Sequence, residues 1–371
     1  MRPDFDSRNG IILSIGNIKR TLGRKGVSQT FTISVAASSV SEVGRKDFVN
    51  LATAVCQCVD DVRRTMGISE YDAELILTDD FLHTVRTVGK DETYSGRRTV
   101  GQAVGICIPK DETYTQATLI FDALSWAWKL AETSPKNTLG AQMVQVHLIA
   151  HELAHSLLGR IRSLGGVPKI DREAIATTSQ LTHNITQTLV DEYRADRFAD
   201  LVVRSVMQQV VGIECALGSW DTVGAIYLPS LIETLGEAYP RWPDTVQRYR
   251  EHKMGLEAMF QEVATSVKDS LLILMHTQAL ADAAGQEELL EGESVSELRA
   301  VRLYLLRPWV VFMKVVRQAP IIPSVDAVGT DDTTLAIAGE KALREIWSAL
   351  GLTLEDYPDA GYAIWVKEPL R

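Results

Sequence analysis

Residues 144–160 read VQVHLIAHELAHSLLGR. The apolar residues around the histidines (Val146, Leu148, Ile149, Leu153, Leu157 and Leu158) predict a mostly buried helix over about 139–160. Inside it stands His151-Glu152-x-x-His155. Residues four apart on a helix differ by about 40° and sit one turn above each other. Two imidazoles so placed can reach one metal ion. Glu152, about 100° round the helix, can lie beside a metal-bound water without being a ligand. A chance match in a chain of this length has odds of roughly one in a hundred.

A catalytic zinc needs a third protein ligand and an open position. A template with Gly and His three and six residues after the second histidine fails, because those positions are Leu158 and Ile161. A template with a Glu on a second helix fits residues 191–200, DEYRADRFAD. Glu192 is the ligand candidate. Asp196, one turn on, is placed to accept a hydrogen bond from a ligand imidazole and fix its tautomer. The competing reading makes both acids surface partners of Arg194 and Arg197.

His151-Glu152-x-x-His155 followed by Glu192-x-x-x-Asp196 resembles the gluzincins, thermolysin-like metallopeptidases with a His-His-Glu site. HELAH with Glu192-x-x-Ala195-Asp196-x-Phe198-Ala199 is similar to the ImmA/IrrE-type peptidases. It is also similar to the Ste-type CAAX prenyl-peptidases, but those span membranes and no run of about 18 apolar residues occurs here. The resemblance covers roughly residues 138–205. It implies zinc ligands His151, His155 and Glu192, with Glu152 as catalytic base. Two features depart from the ImmA/IrrE pattern: Leu148 stands where a Thr is usual, and the gap from His155 to Glu192 is long.

The remaining histidines carry weaker signals. His147 is expected to pack or cap locally. His183, Tyr193, Tyr227, Tyr249 and His252 are candidates for stabilising an oxyanion. His83, His252 and His276 lack partner spacing and read as structural or exposed.

The chain has 371 residues, a formal net charge of -10 and 46% hydrophobic residues. This composition suits a soluble globular protein of about two domains. The acidic balance argues against sequence-independent nucleic-acid binding, which needs a positive field. Residues 1–120 are neutral, so residues 121–371 hold the whole excess of acid. Cys56, Cys58, Cys107 and Cys215 match no zinc ribbon and no Cys-x-x-Cys motif. Reduced thiols in a cytoplasm are the simplest reading. No apolar leader is visible at the start.

Strands are expected at IILSI and FTISVAA around a basic turn, KRTLGRKG, and then at AELILTD, TVRTV, QAVGICIP and ATLIFDA. A helix is expected over 44–66, and KDETY at 90–94 and 110–114 reads as two similar polar loops. DALSWAWKLAE, 184–212, 250–284, 294–318 and 339–350 read as helices, with 219–247 irregular and YAIWV a last strand.

These readings give an α+β fold. A zincin-like core, a small mixed sheet packed on the motif helix, spans 1–250, sheet-rich to 120 and with zinc-site helices over 121–250. A mostly helical region covers 251–371. QAVGICIP or ATLIFDA is the strand expected to receive substrate at the sheet edge. The expected function is zinc-dependent hydrolysis of a peptide bond in a protein substrate, with no nucleic-acid or membrane partner. The alternative is a regulatory protein with a catalytically idle zinc core.

Overall fold

The computed structural model describes residues 12–14, 17–22, 31–95, 104–125, 138–168, 177–211, 219–286, 289–357 and 361–367. The fold is α+β. The chain forms two compact units, Met1–Leu164 with Phe198–Thr222, and Gly165–Arg197 with Val223–Arg371. Position 250, where the sequence suggests a boundary, ends a helix of the second unit. The helix expected around Trp126 and Trp128 lies outside the described residues, as does Cys215.

The first unit holds a six-stranded mixed sheet. Its strands are β1 (Ile12–Ser14), β2 (Asn17–Leu22), β3 (Phe31–Ala36), β4 (Asp72–Thr78), β5 (Gly105–Pro109) and β6 (Gln116–Asp122). Their order is β1-β2-β3-β4-β6-β5. β3, β4 and β6 run parallel, while β5 is antiparallel to β6, with Cys107 opposite Leu119. ATLIFDA is therefore an interior strand, buried from Ala117 to Phe121, and GICIP, the described strand of QAVGICIP, forms one edge.

Two local expectations need correction. Part of the basic turn KRTLGRKG is strand β2, paired from Ile18 opposite Val35 to Leu22 opposite Phe31. Ladder bonds come from the backbone, so charged side chains do not oppose a strand. TVRTV is no strand but part of helix α2 (Phe81–Gly89). Asp80 caps it by accepting from the His83 N–H at 3.3 Å, and Phe81 and Val85, four apart, pack with Ile120. Helical spacing and the cap outweigh the β-branched residues.

Helix α1 (Glu42–Thr65) starts where Ser41 Oγ accepts from Gly44 N–H at 3.1 Å. It buries Phe48, Leu51, Ala52, Val55, Cys56 and Val59, a helical stripe. The motif helix α3 (Thr138–Leu164) packs against α1 and β5.

The two KDETY segments build the same turn at their centres. Asp91 Oδ1 accepts from Thr93 N at 2.9 Å and Oγ1 at 2.6 Å; Asp111 Oδ1 accepts from Thr113 N at 2.9 Å and Oγ1 at 2.5 Å. Burial opposes the charge of Asp111, but hydrogen bonds from Thr113, Thr115 and two backbone N–H groups hold its carboxyl well below the usual range. The copies differ at their ends. Lys90 closes α2 in the left-handed region (φ 54°), whereas Tyr114 takes φ 53° and lays its ring on Gly159 of α3. Arg160 of α3 then donates to Thr113 O and Glu70 O, both at 3.1 Å.

A Cβ at Gly159 would stand 2.4 Å from Tyr114 ring carbons, closer than any real contact. Gly159→Ala should therefore lower stability by about 1–3 kcal/mol through overpacking. Urea unfolding checks this, and Tyr114→Ala in the same chain should relieve the clash.

Helix α4 (Thr178–Val211) runs unbroken through the unit boundary after Arg197. In the second unit its start is capped from far along the chain: Asp356 accepts from Thr178 N at 2.6 Å and Oγ1 at 2.7 Å. The second unit continues with α5 (Gly224–Arg250), α6 (Leu256–Ala283), α7 (Leu306–Val316) and α8 (Val328–Ala349). A π-helical turn, Val301–Leu305, leads into α7. Strands β7 (Leu352–Tyr357) and β8 (Gly361–Val366) form an antiparallel pair, so YAIWV gains a partner that the sequence reading lacks.

The stretch expected to be irregular, 219–247, is mostly helix α5, with Pro229, Pro240 and Pro243 inside it. Each proline removes a backbone donor, at a cost of roughly 3 kcal/mol in a helix interior. Burial of Leu231, Leu235, Ala238, Trp242 and Val246, spaced at one helical face, offsets that cost. Trp242 is fully buried and donates to Ser266 Oγ of α6 at 3.0 Å. Phe260 meets Trp347 of α8 with ring centroids 5.6 Å apart. Among the described residues no helix is long and apolar enough to cross a membrane.

Candidate metal centre

The expected site residues fall on two helices, and each unit is described by itself. In the first unit, α3 presents His147, His151 and His155 one turn apart on one face. His151 and Glu152 are 8% and 7% exposed, within the buried range, and His155 is half-buried. His151 Nε2 and His155 Nε2 are 3.0 Å apart, with the rings nearly perpendicular at 78°. Two imidazoles on one tetrahedral zinc, at Zn–N near 2.0–2.1 Å, have nitrogens about 3.3 Å apart. The pair converges as two ligands of one ion would.

His147 is fully buried, and its partner is not the local one expected but Ser219, 72 residues along the chain. Its Nδ1 lies 3.1 Å from Ser219 Oγ. Ser219 N–H donates to Asp200 Oδ1 at 2.8 Å, and Arg204 Nε donates to Asp200 Oδ2 at 2.8 Å. This chain of contacts pins the ring one turn below His151.

Glu152 leaves that face and lies against the sheet edge. A Cβ at Gly105 of β5 would stand 3.2 Å from Glu152 Oε1, so the strand's bare backbone passes beside the carboxylate. Cys107, two residues along, has its thiol pushed well above the ordinary range, first by burial and then by the Glu152 charge. Both effects disfavour the thiolate at this position.

In the second unit, Glu192 and Asp196 share one face of α4. Asp196 is fully buried. Its Oδ2 lies 2.7 Å from His276 Nδ1 of α6, and Glu192 Oε2 lies 3.6 Å from Nε2 of the same ring. Tyr227 of α5 packs on that ring at 5.2 Å between centroids. Arg194 pairs with Asp332 at 3.0 Å, and Arg197 donates to Tyr193 Oη at 3.1 Å. The surface-pair reading of Asp196 is thus overturned: both arginines are engaged elsewhere and the acid is inaccessible.

His276 is the residue the sequence reading misplaces. It is expected to be structural or exposed, but its side chain is only 12% exposed and faces both acids of the Glu192 motif. It sits 80 residues from Asp196, on a helix with no motif of its own, so no spacing signals it. His83 and His252 are exposed, as expected. Among the oxyanion candidates, Tyr193 is committed to Asp282, to which its hydroxyl donates at 2.8 Å.

No family model, no curated protein and no solved structure matches this chain.

Proposed function

We propose that the chain is a zinc-dependent endopeptidase of zincin-like design, with His151, His155 and Glu192 as zinc ligands and Glu152 as general base. The observation that carries this reading is the convergence of His151 and His155 Nε2 atoms 3.0 Å apart, with Glu152 on the same helix beside the edge strand. A buried and a half-buried imidazole one turn apart, followed by a glutamate, are a rare side-chain set in a packed helix, and their nitrogen and oxygen donors suit zinc. An antiparallel edge strand, β5, alongside the motif helix also supports a zincin-like core.

Zinc held there would supply a water of lowered pKa and a Lewis acid for the scissile carbonyl. Glu152 would serve as the general base beside such a water and would return the proton to the leaving amine. β5 ends the sheet, so an extended peptide can add along its outer side through backbone hydrogen bonds. The substrate class is protein or peptide, in a cytoplasmic setting without nucleic-acid or membrane partners.

Metal analysis tests the ligand set. The purified chain should carry about one zinc, and His151→Ala, His155→Ala and Glu192→Ala should each lower it. Full occupancy in Glu192→Ala would remove that residue from the set. Bound metal without any Glu152-dependent cleavage would point to an idle core instead.

Asp196 has a graded expectation. A ligand imidazole nearly always donates its free N–H to a carboxylate, a carbonyl or water. In this reading Asp196 serves a zinc-ligand imidazole as well as His276. Asp196→Asn should then weaken zinc binding by roughly 10–100-fold while the chain stays folded. His276→Gln is the control that separates loss of the His276 contact from loss of the carboxylate. Unchanged zinc affinity in Asp196→Asn would confine Asp196 to holding His276.

A further inference from the structure

Residues 298–325 contain Arg299, Arg302, Arg307, Lys314 and Arg317 and no acidic residue, in a chain of net charge -10. Arg317 is spent inward on Asp282, with two contacts of 2.9 Å. Arg299 stacks on Tyr239, 4.9 Å from the ring centroid. Arg302, Arg307 and Lys314 are exposed and form no ion pair among the described residues. Aliphatic residues lie between them on the same outer face, with Leu303 55% exposed and Val311 46% exposed. The inner face is core: Val301, Leu305, Trp309, Phe312, Met313 and Val316 are buried.

This face therefore sets exposed aliphatic area among three cations that no carboxylate neutralises among the described residues. We propose that this outer face of the π turn and α7 docks an acidic amphipathic helix of a partner protein. Carboxylates spaced about one and then two turns apart on that helix pair with Arg302, Arg307 and Lys314. Its apolar residues cover Leu303 and Val311, as in helix-on-helix packing. Two other occupants fit less well. Peripheral membrane helices anchor through exposed aromatic residues. Here Trp309 and Phe312 are buried, and Tyr304 packs on Trp242 at 5.9 Å. A nucleic acid would pair its phosphates with the cations and leave the aliphatic residues uncovered.

The probe is a labelled synthetic helix of Glu, Leu and Ala with its acids on one face, titrated with the full chain by fluorescence anisotropy at low salt. Binding is expected, weakening as salt rises. Arg302→Gln/Arg307→Gln/Lys314→Gln should weaken it by about 10–100-fold, and Leu303→Ser by several-fold. All four positions are on the surface, so matched thermal unfolding shows that the variants are folded. Parental affinity in the triple variant, or equal binding of a Lys-for-Glu probe, overturns the proposal. Stripe-dependent binding to phosphatidylcholine–phosphatidylserine vesicles, or to single-stranded DNA, with no binding of the acidic helix, also overturns it and assigns the face to that ligand.

Discussion

Glu152→Gln should keep zinc and fold normally while peptide hydrolysis falls by about 10²–10⁴-fold. The amide has nearly the carboxylate's volume, and in the proposed reaction Glu152 is a base and not a ligand. Glutamine cannot accept the water proton or return it to the leaving amine. The residue is buried against the bare backbone of Gly105, so the isosteric change disturbs no packing. The measurement is cleavage in a lysate of the parent cell, with zinc content determined on the same preparation. A variant that cleaves as fast as the parent would remove Glu152 from the base role. A variant that loses its zinc would show the carboxylate to be a ligand.

The largest loss of stability is expected from Asp332→Ala. Asp332 of α8 accepts from Arg194 of α4 at 3.0 Å, with the two side chains 8% and 2% exposed. The bond comes from Arg194 Nη1, while its Nε and Nη2 have no hydrogen-bond partner among the described residues. Removing the acid leaves a buried guanidinium without its counter-charge, which costs about 3–5 kcal/mol. Urea unfolding of the variant should show a drop of that size. The double variant Arg194→Met/Asp332→Leu should recover most of it, because a buried pair replaced by apolar residues is often neutral. Little loss in Asp332→Ala would mean that water or a shifted acid reaches Arg194. Arg194 lies between Glu192 and Asp196 on α4, so in the proposed reading loss of the pair would also lower zinc content.

Much of the first unit was legible because its signals are local. The 3.6-residue spacing of Val146, Ile149, Leu153 and Leu157 gives the motif helix, and the same spacing turns His151 and His155 to one side. Hydrogen bonding within five residues gives both KDETY segments the same turn wherever they occur. TVRTV misled for the opposite reason. Its β-branched residues favour a strand only where a pleated neighbour exists, and Asp80 with the Phe81–Val85 face offers a helix instead.

The sequence by itself determined the α3 helix, the shared face of His151 and His155 and the turn of Glu152 off that face, because bonded geometry sets directions over one turn. Only the tertiary structure decided that GICIP, within QAVGICIP, forms one edge of the sheet, since strand order depends on which backbones pair across many residues. It also decided that 224–250 is a helix despite three prolines, because burial of one face outweighs the missing donors. Finally, it decided that His276 faces Glu192 and Asp196: a contact made 80 residues away leaves no periodicity in the chain, and only packing of α6 on its neighbours fixes it.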